Sequence, residues 1–172
     1  TSFGGVSEVD EQIAARLRDA TLQAFDNTVE LCLQQRVAFL LVAGDVYDAR
    51  DRSLRAQLRF RDGLARLSQA GISTCVVHGN HDPLNSRIAT IHWPKEVHVF
   101  GGEGVSRTSV RRGDNVVADI YGISYPTQDV RQNLARDFHR EEGSAFAIGL
   151  LHCNVGQDTG HEPYAPCSMD DL

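Results

Sequence analysis

Side chains that can bind a metal ion follow three separate apolar segments of this sequence. The segments span residues 37–43, 73–78 and 145–151, and the side chains that follow them are Asp45, Asn80, His81 and His152. Carboxylate and carboxamide oxygens combined with imidazole nitrogens suit borderline divalent ions such as Mn²⁺, Fe²⁺ or Zn²⁺. They suit a sulfur-preferring metal or an all-oxygen Ca²⁺ cage less well. The pattern therefore favours a divalent-metal site.

Each of these residues also has an ordinary structural interpretation. Asp45 alone could be a polar residue in a loop after a strand, His152 alone a hydrogen-bonded core histidine, and Gly-Asn a simple turn. Their shared position at the ends of apolar segments favours the metal site over these alternatives. Asp82 keeps two interpretations, a partner that fixes the tautomer of His81 or a turn carboxylate that bonds to backbone before Pro83.

Strands and a helix must bring these side chains together. The continuous apolar run at residues 37–43 is typical of a strand covered on both faces of a largely parallel sheet, and residues 73–78 form a second strand. A helical segment ending at Gly71 lies between them. A strand–helix–strand unit has parallel strands, so Asp45 and Asn80 should leave the sheet at the same edge.

Apolar residues at helical spacing predict three helices. The first covers about residues 7–35, with Ser7 as its N-cap. The second is capped by Asp51 or Ser53 and has Leu54, Leu58, Leu64 and Leu67 on one side. The third covers about residues 128–140. These helices are expected to pack one face onto the sheet.

Short alternating segments beyond Pro94 predict an antiparallel half of the fold. They cover residues 97–100, 105–110 and 116–125, with a hairpin turn at residues 113–115. The apolar run before His152 predicts one more strand.

Composition limits the class of protein. The 172 residues have 41% hydrophobic content and a net charge of −6, and no apolar run approaches the length of a bilayer span. We expect a globular protein without membrane anchor or export signal. The four cysteines lack CxxC spacing, which favours reduced thiols and a cytoplasmic location. A nucleic-acid partner would need a local basic face or bound cations.

The motifs resemble those of a known superfamily. Gly-Asp-Val-Tyr-Asp at residues 44–48, Gly-Asn-His-Asp at 79–82 and Leu-His at 151–152 resemble successive motifs of calcineurin-like metallophosphoesterases. The first motif, and the Gly-Asn-His-Asp-Pro followed by Arg87, resemble the DNA-repair exonuclease branch, the nuclease subunit of SbcCD type. The resemblance implies a layered α/β/β/α sandwich with parallel and mixed strands bearing the site at their carboxyl ends.

The same resemblance predicts a single truncated domain over residues 1–172. Two superfamily motifs, an initial Asp-x-His and a final Gly-His-x-His, are not found in the sequence, and the chain begins at Thr1. His161 lies in Gly-His-Glu-Pro, which lacks the second histidine of the final motif. We therefore do not assign His161 as a ligand.

The resemblance also implies roles for the site residues. Asp45 would bridge two divalent metal ions, with Mn²⁺ the first candidate and Fe²⁺, Zn²⁺ or Mg²⁺ as alternatives, and Asn80 and His152 would both bind one of the two ions. A hydroxide held between the ions would attack the phosphodiester. His81 would protonate or stabilise the leaving oxygen, with Asp82 beside it in the catalytic pair.

The predicted function is therefore a metal-dependent phosphodiesterase, a DNA exonuclease or endonuclease of DNA repair. The predicted phosphate contacts are Arg50, Arg52 and Arg87, because the guanidinium group donates two hydrogen bonds at once to a phosphate. The hairpin arginines Arg107, Arg111 and Arg112 fit a DNA contact or a solvated turn equally well. By resemblance alone, we expect a homodimer and an SMC-like ATPase partner.

Two alternatives remain open from the sequence. One is a phosphomonoesterase or nucleotide hydrolase built on the same scaffold. The other is a non-catalytic binding module whose metal site is incomplete.

Overall fold

The structure is a computed structural model, which describes most of the chain. The described residues are 11–47, 54–86, 92–143, 146–156 and 162–172, and for residues 11–18 the description is limited to the backbone.

A parallel three-stranded sheet forms the first half of the fold. Its strands are β1 (Phe39–Ala43), β2 (Ser73–Val77) and β3 (Val97–Val99), in the order β1-β2-β3. β1 and β2 pair in parallel with Ala43 opposite Val77. The predicted strand–helix–strand unit is confirmed, and the loops that follow β1 and β2 leave the sheet at one edge.

Two helices cover one face of this sheet. They are α1 (Glu11–Gln35) and α2 (Leu54–Gln69). Val29 of α1 packs with Leu64 and Leu67 of α2 against Val76 of β2. Gly71 follows α2 with φ of +74° and ends it as predicted. The predicted caps Ser7, Asp51 and Ser53 lie outside the described residues.

The buried face of α2 differs in part from the predicted one. Leu54 and Leu58 are 54% and 37% exposed. The helix buries Gln57, Phe60, Gly63, Leu64 and Leu67. Steps of three and four residues run back from Leu67 through Leu64 to Phe60 and Gln57, so Leu54 and Leu58 fall beside this stripe.

An ion pair joins the two helices near the surface. Arg59 Nε donates to both carboxylate oxygens of Asp26, at 3.1 and 3.0 Å. This hydrogen bonding holds the pKa of Asp26 below its ordinary value against the opposing effect of burial. Folding lowers the pKa of this carboxyl group, so the group stabilises the folded state at pH values above its pKa in the unfolded chain. The stabilisation is lost as the pH falls through its pKa in the folded state.

We therefore expect the coupling between Asp26 and Arg59 to depend on pH. A double-mutant cycle with Asp26→Asn and Arg59→Gln should give about 0.5–1 kcal/mol at pH 7, since both side chains are partly solvated. The coupling should shrink once the pH falls below the ordinary pKa of an aspartate. Urea unfolding at several pH values measures it, and a coupling that stays constant down to acid pH would contradict the assignment.

A second sheet packs on the other face of the first. Its strands are β4 (Ser106–Arg112), β5 (Asn115–Gly122) and β6 (Ala147–Leu150), in the order β4-β5-β6. β4 and β5 form the predicted antiparallel hairpin, with Gly113 in its turn at φ of +61°. The prediction is wrong for residues 97–100, because β3 pairs in parallel with β2. β6, the further strand predicted before His152, pairs in parallel with β5.

The core between the sheets is apolar. Cys75 and Val77 of β2 pack there with Ile120 of β5 and Leu150 of β6. A short parallel pair, β7 (Asn154–Val155) with β8 (Pro166–Cys167), follows β6. The chain is thus a layered α/β sandwich with parallel and mixed strands, which confirms the predicted fold class.

The predicted third helix at residues 128–140 is wrong. Within that segment only Leu134–Asp137 is helical, as a single 3₁₀ turn. Asn133 starts this turn by accepting a hydrogen bond from the Ala135 amide at 3.1 Å. Such local side-chain bonds compete with a continuing helix. Val130 and Leu134 are nevertheless buried, in a cluster with Tyr125, so their spacing reflected burial and not helical structure.

Two findings concern membrane-spanning helices and disulfide bonds. In the described part of the chain no helix is long and apolar enough to cross a membrane. All four cysteines, Cys32, Cys75, Cys153 and Cys167, are free thiols.

Candidate metal centre

The loop after β1 turns sharply to present Asp45. Gly44 has φ of +84° and Asp45 has φ of +53°. The left-handed region is open to glycine and is tolerated by aspartate at a small cost. The Asp45 carboxylate bends toward the loop after β2, where its Oδ1 accepts a hydrogen bond from the His81 amide at 3.0 Å. Backbone conformation and this hydrogen bond together fix the Asp45 side chain.

Asn80 and His152 meet Asp45 at the carboxyl ends of the strands. The Nε2 atom of His152 lies 3.2 Å from Asn80 Oδ1 and 3.4 Å from Asp45 Oδ2. The structure therefore brings together the three side chains that the sequence singled out as ligands, although they are separated by 35 and 72 residues in the chain.

The tautomer of His152 makes this cluster suitable for a cation. Its Nδ1 lies 2.8 Å from the carbonyl oxygen of Ala43. A carbonyl can only accept, so Nδ1 carries the hydrogen, and Nε2 of the neutral ring has a lone pair. That lone pair faces the oxygens of Asn80 and Asp45. A positive ion between these three electron-pair donors would stabilise their approach. A backbone carbonyl that orients a histidine ligand, as Ala43 does here, is also common at metal sites. The residues thus fit a divalent cation.

The ligand set in the described residues is partial. Across them, no group of three or more His, Cys, Asp or Glu side chains is placed to hold a metal. Asp45 and His152 supply two such ligands and Asn80 supplies an amide oxygen. Three donors leave coordination positions for water or substrate oxygens.

Asp82 is buried beneath the two loops. Its side chain is completely inaccessible to solvent. Oδ1 accepts hydrogen bonds from the amides of Gly79 at 2.7 Å and Asp45 at 3.1 Å, and Oδ2 accepts one from Val46 at 3.0 Å. Of the two interpretations left by the sequence, this geometry favours the one in which Asp82 bonds to backbone. The Asp82 carboxylate is absent from the lining of the cleft described below, which differs from the catalytic role predicted for it.

The environment of Asp82 keeps it charged. Burial raises its pKa, but hydrogen bonding from His78 and from the backbone amides outweighs burial, so the pKa lies below its ordinary value. The Nδ1 atom of His78 is 3.5 Å from Asp82 Oδ2. His78 is itself buried, with 7% of its surface exposed.

Two glycines allow the His152 ring to approach the loops. A Cβ atom on Gly44 would lie 2.8 Å from His152 Nδ1, and one on Gly79 would lie 2.8 Å from His152 Cδ2. Distances below 3.0 Å force the neighbours to move. These glycines were part of the sequence motifs, but their role as contact surfaces for His152 was not evident from the sequence.

Replacing Gly79 with alanine is therefore expected to separate His152 from Asn80 and Asp45. We expect a loss of about 1–3 kcal/mol in the free energy of unfolding, typical of overpacking, and weaker Mn²⁺ binding. Gly101→Ala is the matched control, because a Cβ atom there meets nothing within 4 Å. Urea unfolding and calorimetric Mn²⁺ titration measure both effects, and equal behaviour of the two variants would contradict the prediction.

The cluster opens into a cleft of about 540 Å³. Its lining residues are Asp45, Asn80, His81, Gln128, His152, Cys153, Asn154, Val155, Glu162 and Tyr164. His81 thus lies at the cleft, beside the proposed ligands. Residues 153–155, 162 and 164 form one wall of this cleft. The sequence did not predict this wall, because these residues are not part of a recognisable motif.

Cys153 follows His152 and lies beside a second thiol. Burial, followed by the neighbouring Cys167 thiol, raises the pKa of Cys153 to about 11. The two Sγ atoms lie 3.7 Å apart.

The predicted DNA contacts are only partly located. Arg50, Arg52 and Arg87 lie outside the described residues, as do Asp48 and His161. Arg107 contacts Glu141 at 2.5 Å and Asp119 at 3.3 Å. Arg111 donates to the carbonyl of Asp114. For these two hairpin arginines the geometry favours the solvated turn.

Comparison with known proteins agrees with the geometry of the site. A family model described as calcineurin-like phosphoesterase matches residues 17–167. The chain is 36% identical over 170 residues to the uncharacterized metallophosphoesterase YhaO of Bacillus subtilis, which covers 99% of the chain and 42% of the relative.

Two further relatives are named DNA double-strand break repair protein Mre11. The Aeropyrum pernix protein is 32% identical over 166 residues, covering 90% of the chain and 41% of the relative. The Thermoplasma acidophilum protein is 26% identical over 155 residues, and this match covers 87% of the chain and 41% of the relative. The chain thus spans less than half the length of these curated relatives. From the family match over most of its length, together with the Asp45, Asn80 and His152 cluster, the chain belongs to the calcineurin-like phosphoesterase family.

Proposed function

We propose that this chain is the phosphoesterase part of a divalent-metal-dependent phosphodiesterase that acts on DNA. The observation that carries the proposal is the approach of His152 Nε2 to Asn80 Oδ1 and Asp45 Oδ2, beside His81 in an open cleft. Nitrogen and oxygen donors that converge from three strand ends are the mixed ligand set that borderline divalent cations prefer.

Asp45, Asn80 and His152 would hold the divalent cation. When bound, such ions supply a nucleophile at neutral pH and offset the charge of the phosphate. The chain's own residues do the rest. His81, whose amide is fixed to Asp45, donates a proton from its imidazole to the oxygen that leaves phosphorus. Asp82 holds the two loops together, so that His81 and Asp45 keep their relative positions.

The charge of the cleft supports a requirement for cations. Among the described residues that line it, Asp45 and Glu162 are acidic and none is lysine or arginine. Glu162 is paired with Arg131 at 2.8 Å, so the negative charge that an entering phosphate meets comes mainly from Asp45. Phosphodiester binding should therefore depend on the metal, and it should be weak after chelation.

DNA is the proposed substrate class because two of the relatives are named as DNA double-strand break repair proteins. The SMC-like ATPase partner, the homodimer, the cytoplasmic location and the single domain over residues 1–172 stay predictions.

The test compares ester classes in the complete protein. After chelation and addition of Mn²⁺, we expect hydrolysis of bis(p-nitrophenyl) phosphate and of an end-labelled DNA duplex to exceed that of p-nitrophenyl phosphate. Asp45→Asn should lose Mn²⁺ binding and activity together. A clear preference for the monoester would replace the proposal with a phosphomonoesterase. DNA binding without hydrolysis of any ester would indicate a binding module.

A further inference from the structure

Tyr125 lies against the candidate metal centre without lining the cleft. Its side chain is fully buried, and its ring is T-shaped to the His152 ring with centroids 5.5 Å apart. Its amide donates to the carbonyl of His78 at 3.0 Å, and its carbonyl accepts from the amide of Leu84 at 3.0 Å. Tyr125 is therefore fixed to the loop that carries Asn80 and His81, while its ring contacts the ligand contributed by the other sheet.

The hydroxyl group of Tyr125 is buried and lacks a hydrogen-bond partner in the described part of the chain. A buried hydroxyl without a partner costs about 1–3 kcal/mol, and such a group in a native protein is explained by strain, by a functional role, or by a bound water or ion. A phenylalanine would fill the same space without this cost. The hydroxyl thus calls for an acceptor that the described residues do not provide in this arrangement.

We propose that Tyr125 is a positioning residue of the metal centre, whose hydroxyl donates to an oxygen of the ligand set once the cation is bound. The inference rests on the proposed metal site. The Asp45 and Asn80 oxygens and His152 Nε2 would together hold the cation. Tyr125 contacts His152 through its ring and the Asn80 loop through its backbone, so its hydroxyl can hold the set in that arrangement.

The decisive variant is Tyr125→Phe, which keeps the ring and removes the hydroxyl. We expect Mn²⁺ affinity to fall about tenfold, the lower end of the range for residues that support metal ligands. The melting temperature of the metal-free protein should stay the same or rise, because the unpartnered group is gone. A purely structural tyrosine would leave Mn²⁺ affinity unchanged.

Thr74→Val is the matched control. The Thr74 hydroxyl is also buried without a partner, and Thr74 lies near the start of β2, away from the carboxyl end where the site is formed. Its loss should leave Mn²⁺ affinity unchanged.

Calorimetric Mn²⁺ titration of the complete protein and thermal unfolding after chelation provide the two readouts. Unchanged affinity in Tyr125→Phe, or an equal loss in Thr74→Val, would overturn the inference. If the unmodified protein bound no Mn²⁺, the proposed function would fail first, so the two failures are distinguishable.

Discussion

Replacing His81 with alanine is expected to lower kcat for a phosphodiester by about 10²–10⁴-fold, or roughly 3–5 kcal/mol in activation free energy. The reason is that His81 lines the cleft and, in the proposed mechanism, supplies a proton to the leaving oxygen, whereas the proposed metal ligands are Asp45, Asn80 and His152. Mn²⁺ affinity should change little. Steady-state kinetics with calorimetric Mn²⁺ titration separates the two effects.

His139→Ala is the matched control for this variant. His139 is an exposed imidazole that lines a different cavity, on the far side of the second sheet. Its removal should leave kcat unchanged. If His81→Ala instead lost Mn²⁺ in proportion to activity, His81 would be a ligand and not a proton donor.

Replacing Asp82 with alanine is expected to destabilise the fold by about 3 kcal/mol or more. Three backbone amides, one buried and two partly buried, would lose their acceptor at once, and His78 would lose its carboxylate neighbour. For a chain of this length the loss corresponds to a drop of roughly 6–12 °C in melting temperature. Mn²⁺ binding should also weaken, because the Asp45 loop would no longer be tied to the Asn80 loop.

Asp62→Ala serves as the control for this loss. The Asp62 side chain is 62% exposed and pairs only locally with Arg61, so its removal should stay within about 0.5 kcal/mol. Thermal and urea unfolding of both variants decide the matter. An Asp82→Ala protein as stable as Asp62→Ala would mean that solvent or backbone rearrangement replaces the lost acceptor.

The convergence of the three candidate ligands at one edge of the sheet could be predicted from the sequence because it depends on local patterns. An apolar run that stops at a polar residue marks a strand end, and parallel strands collect their ends at one edge of a sheet. Asp45, Asn80 and His152 were accordingly identified before any contact was known. The hairpin at Gly113 was predictable for the same reason, since its turn residues adjoin both strands.

Other features depend on contacts between distant segments. The Asp82 carboxylate bonds to Asp45 and Val46, which lie 37 and 36 residues away. The sequence alone could not decide between this and a bond to His81. The 3₁₀ turn at residues 134–137 shows the same limit, because burial of Val130 and Leu134 produced helical spacing without a helix. Pairing of β6 with β5 likewise depends on tertiary structure.

The Asp82 hydrogen bonds have a consequence for the motions of the chain. Loop amides normally exchange with deuterium quickly, whereas Asp45, Val46 and Gly79 donate to a carboxylate that solvent does not reach. Their protons can leave only when β1 and β2 come apart. In a hydrogen-exchange experiment, these three amide protons should exchange as slowly as those of the central strands. The loops after β1 and β2 would then unfold together with the sheet and not before it.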